Sequence, residues 1–380
     1  MENFIAHNPT ALHFGHNVLS GLGPVIQNYG KKVLFIYGQG SIKKTGLYDE
    51  IKGLLQAIDA VVFEYEGIKP NPVVEDVDAA AEIGRKKDVD VILAVGGGSV
   101  IDSGKIISIT IPVNHSGWDF YTHKAHPKKA IPLIAVLTLA ATGTEMNQFA
   151  VLSNHETMIK DGYGNKHLYP AHSFLDPKLT CTVPKNYTAY GIADLIAHCF
   201  EAYFGYGEAT LSDRFIISIV REAMEYGPGL LDDLNNYDLR EKIMYAATMA
   251  LNGLTLYGKA SGDWGVHAIG HCLSLLYDVP HGASLTIVYP AWMKYFKDQI
   301  PDRIAVLGSE LFREPLSTDE SIRRIETFFR SIERPTRLSD MSIPGVLKQP
   351  IFETMVINKV NGANLKLKEA DYGDLIDLFL

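Results

Sequence analysis

The sequence predicts an α/β domain with a doubly wound, mostly parallel sheet, followed by an all-α domain, and three observations predict it. The chain has 380 residues, more than one hydrophobic core usually organises, because cores stop growing near roughly 250–300 residues. Through the first half, short apolar runs alternate with amphipathic stretches, the pattern of parallel strands joined by crossover helices. Beyond Pro184 the β-branched runs give way to long stretches of 3.6-residue period with charges on one side. The domains are placed at 1–184 and 185–380, with Val183-Pro184-Lys185 as the joint.

In chain order, Val33 to Tyr37 reads as a buried strand followed by a helix from Thr45 to Ile58. Val61 to Tyr65 is a second strand, Val73 to Lys87 a second helix, Val91 to Val95 a third strand and Ile131 to Leu137 a fourth. With 47% hydrophobic and 21% charged residues the chain can bury a large core and lacks the signature of disorder. A net charge of −9 gives no general attraction for phosphate backbones or anionic lipid, which argues against nucleic acid and membrane partners. Cys181, Cys199 and Cys272 are too few and too scattered for a disulfide framework or a cysteine zinc site. No apolar run nears the ~18 residues of a membrane span, and Met1-Glu2-Asn3-Phe4 lacks the basic-then-apolar order of a signal peptide. A cytoplasmic protein is expected.

The third strand runs into Gly96-Gly97-Gly98-Ser99, and a helix opens at Val100. Unpaired N–H groups and a helix dipole there suit an anion, and glycines let a phosphate approach the backbone. A second polar turn, Thr138 to Glu145, follows the fourth strand, and ligands of open α/β sheets bind outside the carboxyl ends of strands. A plain tight turn at the glycines and a simple helix N-cap at Thr142 to Glu145 are the alternatives.

Asp194 and His198 stand at i and i+4 on a helix from about Tyr187 to Tyr203, on one face and one turn apart. Ile192, Leu195, Ile196, Cys199 and Tyr203 form the apolar stripe, so with Glu201 the pair lies opposite it; taken alone, that side reads as a solvated face. The flanking Ala193, Ala197 and Ala202 suit close approach by another element instead. From Trp264 to Tyr277 there is no charged residue, which predicts a buried helix, yet His267 and His271 sit on it one turn apart. Gly270 leaves room beside these imidazoles. His281, in the turn Val279-Pro280-His281-Gly282, is close enough in sequence to fold back towards His267. One carboxylate and three imidazoles form a donor set suited to Fe(II) or Zn(II).

With these motifs together, the chain resembles the iron-containing (group III) alcohol dehydrogenases, in particular their NADPH-dependent butanol dehydrogenase and broad-range aldehyde reductase branch. The resemblance covers nearly the whole chain. It implies a dehydroquinate synthase-like fold, an N-terminal dinucleotide-binding domain with a helical metal-binding domain. The implied metal ligands are Asp194, His198, His267 and His281. Gly97, Gly98 and Ser99 would hold the pyrophosphate, Gly38, Gln39, Gly40, Ser41, Asp102, Thr138, Thr142, Asn147 and Lys160 would line the rest of the cofactor, and His271 would face the substrate. A homodimer is also implied.

Relatives that prefer NAD(H) can carry an acid near the end of the first strand to hold the ribose hydroxyls. Tyr37 to Lys44 has no acid and two lysines, which favours NADP(H) over NAD(H), while Glu64 or Glu66 after the second strand could serve as a ribose acid. The expected chemistry is hydride transfer between the nicotinamide and a small primary alcohol or aldehyde, with a divalent metal as Lewis acid and His271 as proton relay. Trp264 and Tyr257 are candidate pocket walls, although core packing explains them equally well. A glycerol dehydrogenase-like polyol enzyme of the same superfamily is the nearest rival reading. A non-catalytic protein that binds a nucleotide and a structural metal is the rival from another class.

Overall fold

The computed structural model describes residues 1–343 and 345–380. They form two compact units, one spanning His7–Val183 and the other joining Met1–Ala6 to Pro184–Leu380. Helices of eight residues or more are numbered below.

The first unit carries strands β1 (Ala11–Phe14), β2 (Lys32–Gly38), β3 (Val61–Ile68), β4 (Val91–Gly96), β5 (Leu133–Leu137), β6 (Phe149–Asn154), β7 (Ile159–Gly164) and β8 (His172–Leu175). Its helices are α1 (Leu47–Gln56), α2 (Val74–Lys87) and α3 (Gly98–Thr110). The main sheet runs β1-β8-β5-β4-β2-β3, and each neighbouring pair is parallel. Val33, Phe35 and Tyr37 of β2 face the same way as Val91, Leu93 and Val95 of β4, and pack with Ile51 and Leu55 of α1. On the other face, a Cβ at Gly104 of α3 would stand 3.0–3.2 Å from Leu133, Ile36 and Ala94. The glycine therefore lets α3 lie directly on the sheet. Helices on both faces explain why the central strands read as unbroken apolar runs.

Three features escape the periodicity. Strands β6 and β7 pair antiparallel as a separate hairpin, and the second of them, Ile-Lys-Asp-Gly-Tyr-Gly, carries two glycines and two charges that hide a strand pattern. β1 and β8 are four residues each, too short for a period of two to show. The third is Met1–Ala6, expected with the α/β domain but packed on the helical unit, where Glu2 N donates to Gly258 O at 2.8 Å and Phe4 stacks on Tyr257 at 5.3 Å.

The second unit carries α4 (Lys185–Tyr203), α5 (Thr210–Asp232), α6 (Tyr237–Ala250), α7 (Gly265–Tyr277), α8 (His281–Phe296), α9 (Pro301–Phe312), α10 (Thr318–Ser331), α11 (Lys348–Ile357) and α12 (Tyr372–Phe379). α4 packs against α5 and α8, and α7 against α8. Two glycines set these crossings. A Cβ at Gly282 would fall 2.3 Å from the Tyr190 carbonyl of α4, and one at Gly270 would fall 2.7 Å from Ser284 Oγ of α8. The space beside Gly270 is thus filled by α8.

At the sheet edge, His13 Nε2 and His172 Nδ1 are 3.0 Å apart, and His13 stacks on Phe174. Burial lowers the pKa of both imidazoles, and at His172 the neighbouring His13 lowers it further. A folded pKa below the unfolded value means that the unfolded chain binds more protons, so stability is full above about 6.5 and is lost as the pH falls below it. Between pH 7 and 5 the thermal midpoint of the wild type should therefore fall more steeply than that of His172→Gln, measured by scanning calorimetry; parallel slopes would refute the assignment.

Candidate active site

β2 and β4 are neighbours, while the chain passes from β2 to β3 on the other side, so the strand order reverses between β2 and β4, the place where α/β sheets bind ligands. β2 ends at Gly38, with Gln39, Gly40 and Ser41 following; Gly40 has φ +100°, a conformation that favours glycine. A Cβ at Gly38 would meet Val100 Cγ2 at 3.8 Å, so this turn adjoins the start of α3. α3 begins at Gly98 with Gly97 as its N-cap. A Cβ at Gly98 would stand 2.7 Å from Thr142, and Thr138 N donates to Gly96 O at 3.0 Å. The fold thus brings Gly38–Ser41, Gly97–Ser99, Thr138 and Thr142 to one edge of the sheet, with the first N–H groups of a long helix among them, an arrangement that can hold a pyrophosphate.

The deeper residues of the expected set also bond within the protein. Asp102 Oδ1 accepts from Thr144 Oγ1 at 2.5 Å and its Oδ2 from Val151 N at 2.8 Å. Asn147 Nδ2 donates to Gly143 O at 3.0 Å, and Lys160 Nζ donates to Asn71 Oδ1 at 2.7 Å. All three are buried, and these bonds brace the neighbouring turns. Glu64 is similarly occupied, accepting from Tyr37, Tyr48 and Lys52. Glu66, at the carboxyl end of β3, pairs with Lys43 at 2.7 Å.

In the helical unit the side of α4 that reads alone as a solvated face is buried: Asp194 is 2% exposed, His198 5% and Glu201 1%. Asp194 Oδ1 lies 3.7 Å from His198 Nε2, 3.9 Å from His267 Nε2 and 3.5 Å from His281 Nε2. Two donors about 2.1 Å from one ion at tetrahedral angles stand roughly 3.4 Å apart, so these spacings suit shared coordination. One donor atom each from Asp194, His267 and His281 lies within 4.8 Å of the others. The His198 ring stacks on that of His267 with centroids 4.9 Å apart. Burial, then the neighbouring His267, holds the His198 pKa well below its ordinary value, and a neutral imidazole is the ligating form.

His271 stands beside this group, its ring centroid 5.6 Å from that of His281. Trp264 is the αL N-cap of α7, with φ 65°, and its indole lies against His267 at 5.5 Å and His198 at 6.5 Å. Tyr257 stacks on Phe4.

Glu201 is the residue that sequence reasoning missed. It accepts from His267 Nδ1 at 2.8 Å, from His267 N at 3.0 Å and from Trp264 N. A proton held on Nδ1 leaves the Nε2 lone pair for a metal, the usual partnership of a ligating imidazole and a carboxylate. Burial pushes the Glu201 carboxyl up to about 8, opposed by the N–H groups of His267 and Trp264 and by the Tyr289 hydroxyl. The signal was present: an acid among Phe200, Ala202 and Tyr203, seven residues after Asp194.

Residues 9–177 match the family model described as iron-containing alcohol dehydrogenase, and residues 188–364 match the C-terminal model of the Fe-containing alcohol dehydrogenase family. The chain belongs to the iron-containing alcohol dehydrogenase family. It is an NAD(P)-dependent oxidoreductase of that family, similar at 41% identity to the probable NADH-dependent butanol dehydrogenase 1 of Bacillus subtilis, over 98% of each chain. It is 36% identical to the NADPH-dependent aldehyde reductase YqhD of Escherichia coli, over 92% of this chain and 93% of that one. The crystal structure of NADH-dependent butanol dehydrogenase A from Thermotoga maritima superposes with a TM-score of 0.96 at 36% identity, covering 100% of this chain and 99% of the other.

In this iron-containing alcohol dehydrogenase, Glu201→Gln should weaken Zn(II) affinity by ~10–100-fold, measured by titration against a competing chelator; affinity within about twofold of wild type would show that the carboxylate does not govern His267.

Proposed function

We infer that this dehydrogenase exchanges hydride between NAD(P)H and small primary alcohols or their aldehydes at a single divalent metal, held by Asp194, His198, His267 and His281. The observation that carries the reading is the convergence of three imidazole Nε2 atoms on one oxygen of a buried aspartate. Four protein donors of net charge −1 suit Fe(II) or Zn(II). Such an ion supplies Lewis acidity towards the substrate oxygen, and the nicotinamide supplies the redox chemistry. Asp194 provides the balancing charge, Glu201 fixes the tautomer of His267, and the Trp264 indole keeps water from one flank of the imidazoles. His271, nearly buried next to His281, exchanges the proton of the alcohol. The cofactor pyrophosphate lies on Gly97, Gly98 and Ser99, with Thr138, Thr142 and the Gly38–Ser41 turn around it.

Two lysines and no acid between Tyr37 and Lys44 support NADP(H) as the preferred cofactor, with Lys43 as the cation for a 2′-phosphate. The Lys43–Glu66 pair supports a second reading, in which Glu66 holds the ribose hydroxyls of NAD(H). Scattered cysteines that form no disulfide among the described residues support a cytoplasmic enzyme; no helix among the described residues is long and apolar enough to cross a membrane. A homodimer is proposed from the family resemblance.

The deciding experiment is reconstitution with Fe(II) or Zn(II) followed by nicotinamide absorbance with short aldehydes and with polyols. Turnover of aldehydes is expected; activity confined to polyols, or none with either metal, overturns the reading. His271→Ala should lower kcat by about 100-fold with metal stoichiometry and cofactor KM retained, and wild-type kcat would remove it from proton exchange. Lys43→Ala should lower kcat/KM with NADPH about tenfold and leave NADH little changed, since it removes a charge-assisted contact to phosphate; equal losses with both cofactors would refute the preference.

A further inference from the structure

α3 carries two charges in an otherwise uncharged helix, Asp102 and Lys105. Lys105 is fully buried, and burying an ammonium is costly unless it is well bonded. Its Nζ donates to Asn147 Oδ1 at 2.9 Å and to Phe149 O at 2.7 Å. Asn147 passes the contact on, because its Nδ2 donates to Gly143 O. Gly143 is in the left-handed region and lies between Thr142, whose side chain abuts Gly98, and Thr144, whose hydroxyl donates to Asp102. One face of α3 thus grips, from beneath, the turn that touches the first residue of the same helix. The burial of Lys105 also lowers its pKa, against the pull of Asp102 and Glu145, in keeping with an amine enclosed by protein.

We propose that Lys105 is a positioning residue for the cofactor, setting the Thr142–Asn147 turn against the glycine-rich start of α3 so that the two together fit a pyrophosphate. The proposal rests on the reading of Gly97–Ser99 as the pyrophosphate cradle. Lys105 touches neither substrate nor cofactor; it acts through Asn147 and Gly143. An apolar residue would fill the same volume without desolvating a charge, and would leave the Asn147 and Phe149 carbonyl oxygens without this donor and the turn without its anchor.

The test is steady-state kinetics of metal-loaded Lys105→Met with cofactor and aldehyde varied in turn, alongside thermal midpoint and metal content. The cofactor KM should rise about tenfold or more while kcat stays within about threefold and aldehyde KM and metal content hold, the split of a lost binding geometry. A folded variant whose cofactor KM stays within about twofold of wild type overturns the proposal. So does a joint decline of kcat and both KM values, which a general packing defect gives. If Lys105→Met does not fold, Asn147→Ala cuts the next link and should show the same split, and an unchanged cofactor KM there overturns the proposal. Where both fold, the double variant should be no worse than the worse single one, since they break one chain of contacts; additive losses count against it. Gly98→Val separates the proposal from its premise. If Gly98→Val leaves cofactor KM unchanged, the cradle reading fails and the proposal with it. If Gly98→Val raises cofactor KM and Lys105→Met does not, the positioning role alone fails.

Discussion

A buried carboxylate facing three imidazole nitrogens is the constraint on which the helical unit depends. Placing Asp194 in the interior costs several kcal/mol of desolvation, which a divalent cation held among the donors, as proposed, would offset. The surrounding packing follows from the need to bring three helices close enough. α8 can deliver His281 only because residue 282 has no side chain to meet the Tyr190 carbonyl, and α7 can lie beside α8 only because residue 270 has none to meet Ser284. Ala193, Ala197 and Ala202 serve the same closeness on α4, all almost fully buried.

The nucleotide unit solves a different problem. The proposed pyrophosphate cradle is mostly backbone, so its requirements are steric, and Gly96 and Gly98 are each places where a Cβ would collide with Val100 or Thr142. Its charged side chains lie one layer below and hold the turns in place. Each unit therefore places a buried set of polar residues behind its candidate site: Glu201 behind His267, and Asp102, Lys105 and Asn147 behind the glycines.

The central strands and the helices with strong periodicity were legible because burial on both faces, or on one stripe, leaves an unambiguous pattern. The hairpin of β6 and β7 was not, since charges and glycines within it break that pattern. At the site, the uncharged stretch from Trp264 to Tyr277 exposed His267 and His271, whereas Asp194 and His198 were ambiguous because a one-dimensional stripe cannot tell a solvated face from one covered by another helix. Asp102, Asn147 and Lys160 are expected on the cofactor, and their spacing in sequence gives no sign of the hydrogen bonds that they also make within the protein. Glu201 and Lys105 were missed for a shared reason. Each is a charge between apolar neighbours in the sequence, and its meaning depends on a partner far away along the chain.

The clasp of Met1–Ala6 on the helical unit bears on synthesis. Glu2 N donates to Gly258 O, so at ribosomal rates of 5–20 residues per second Glu2 waits roughly 13–50 s for this partner to be made. By then His7–Val183, with sheet and both helical layers complete in sequence, has long been available to fold. Until then a nascent chain carries Phe4 without the Tyr257 ring on which it stacks, so this clasp can close only after most of the helical unit has been made.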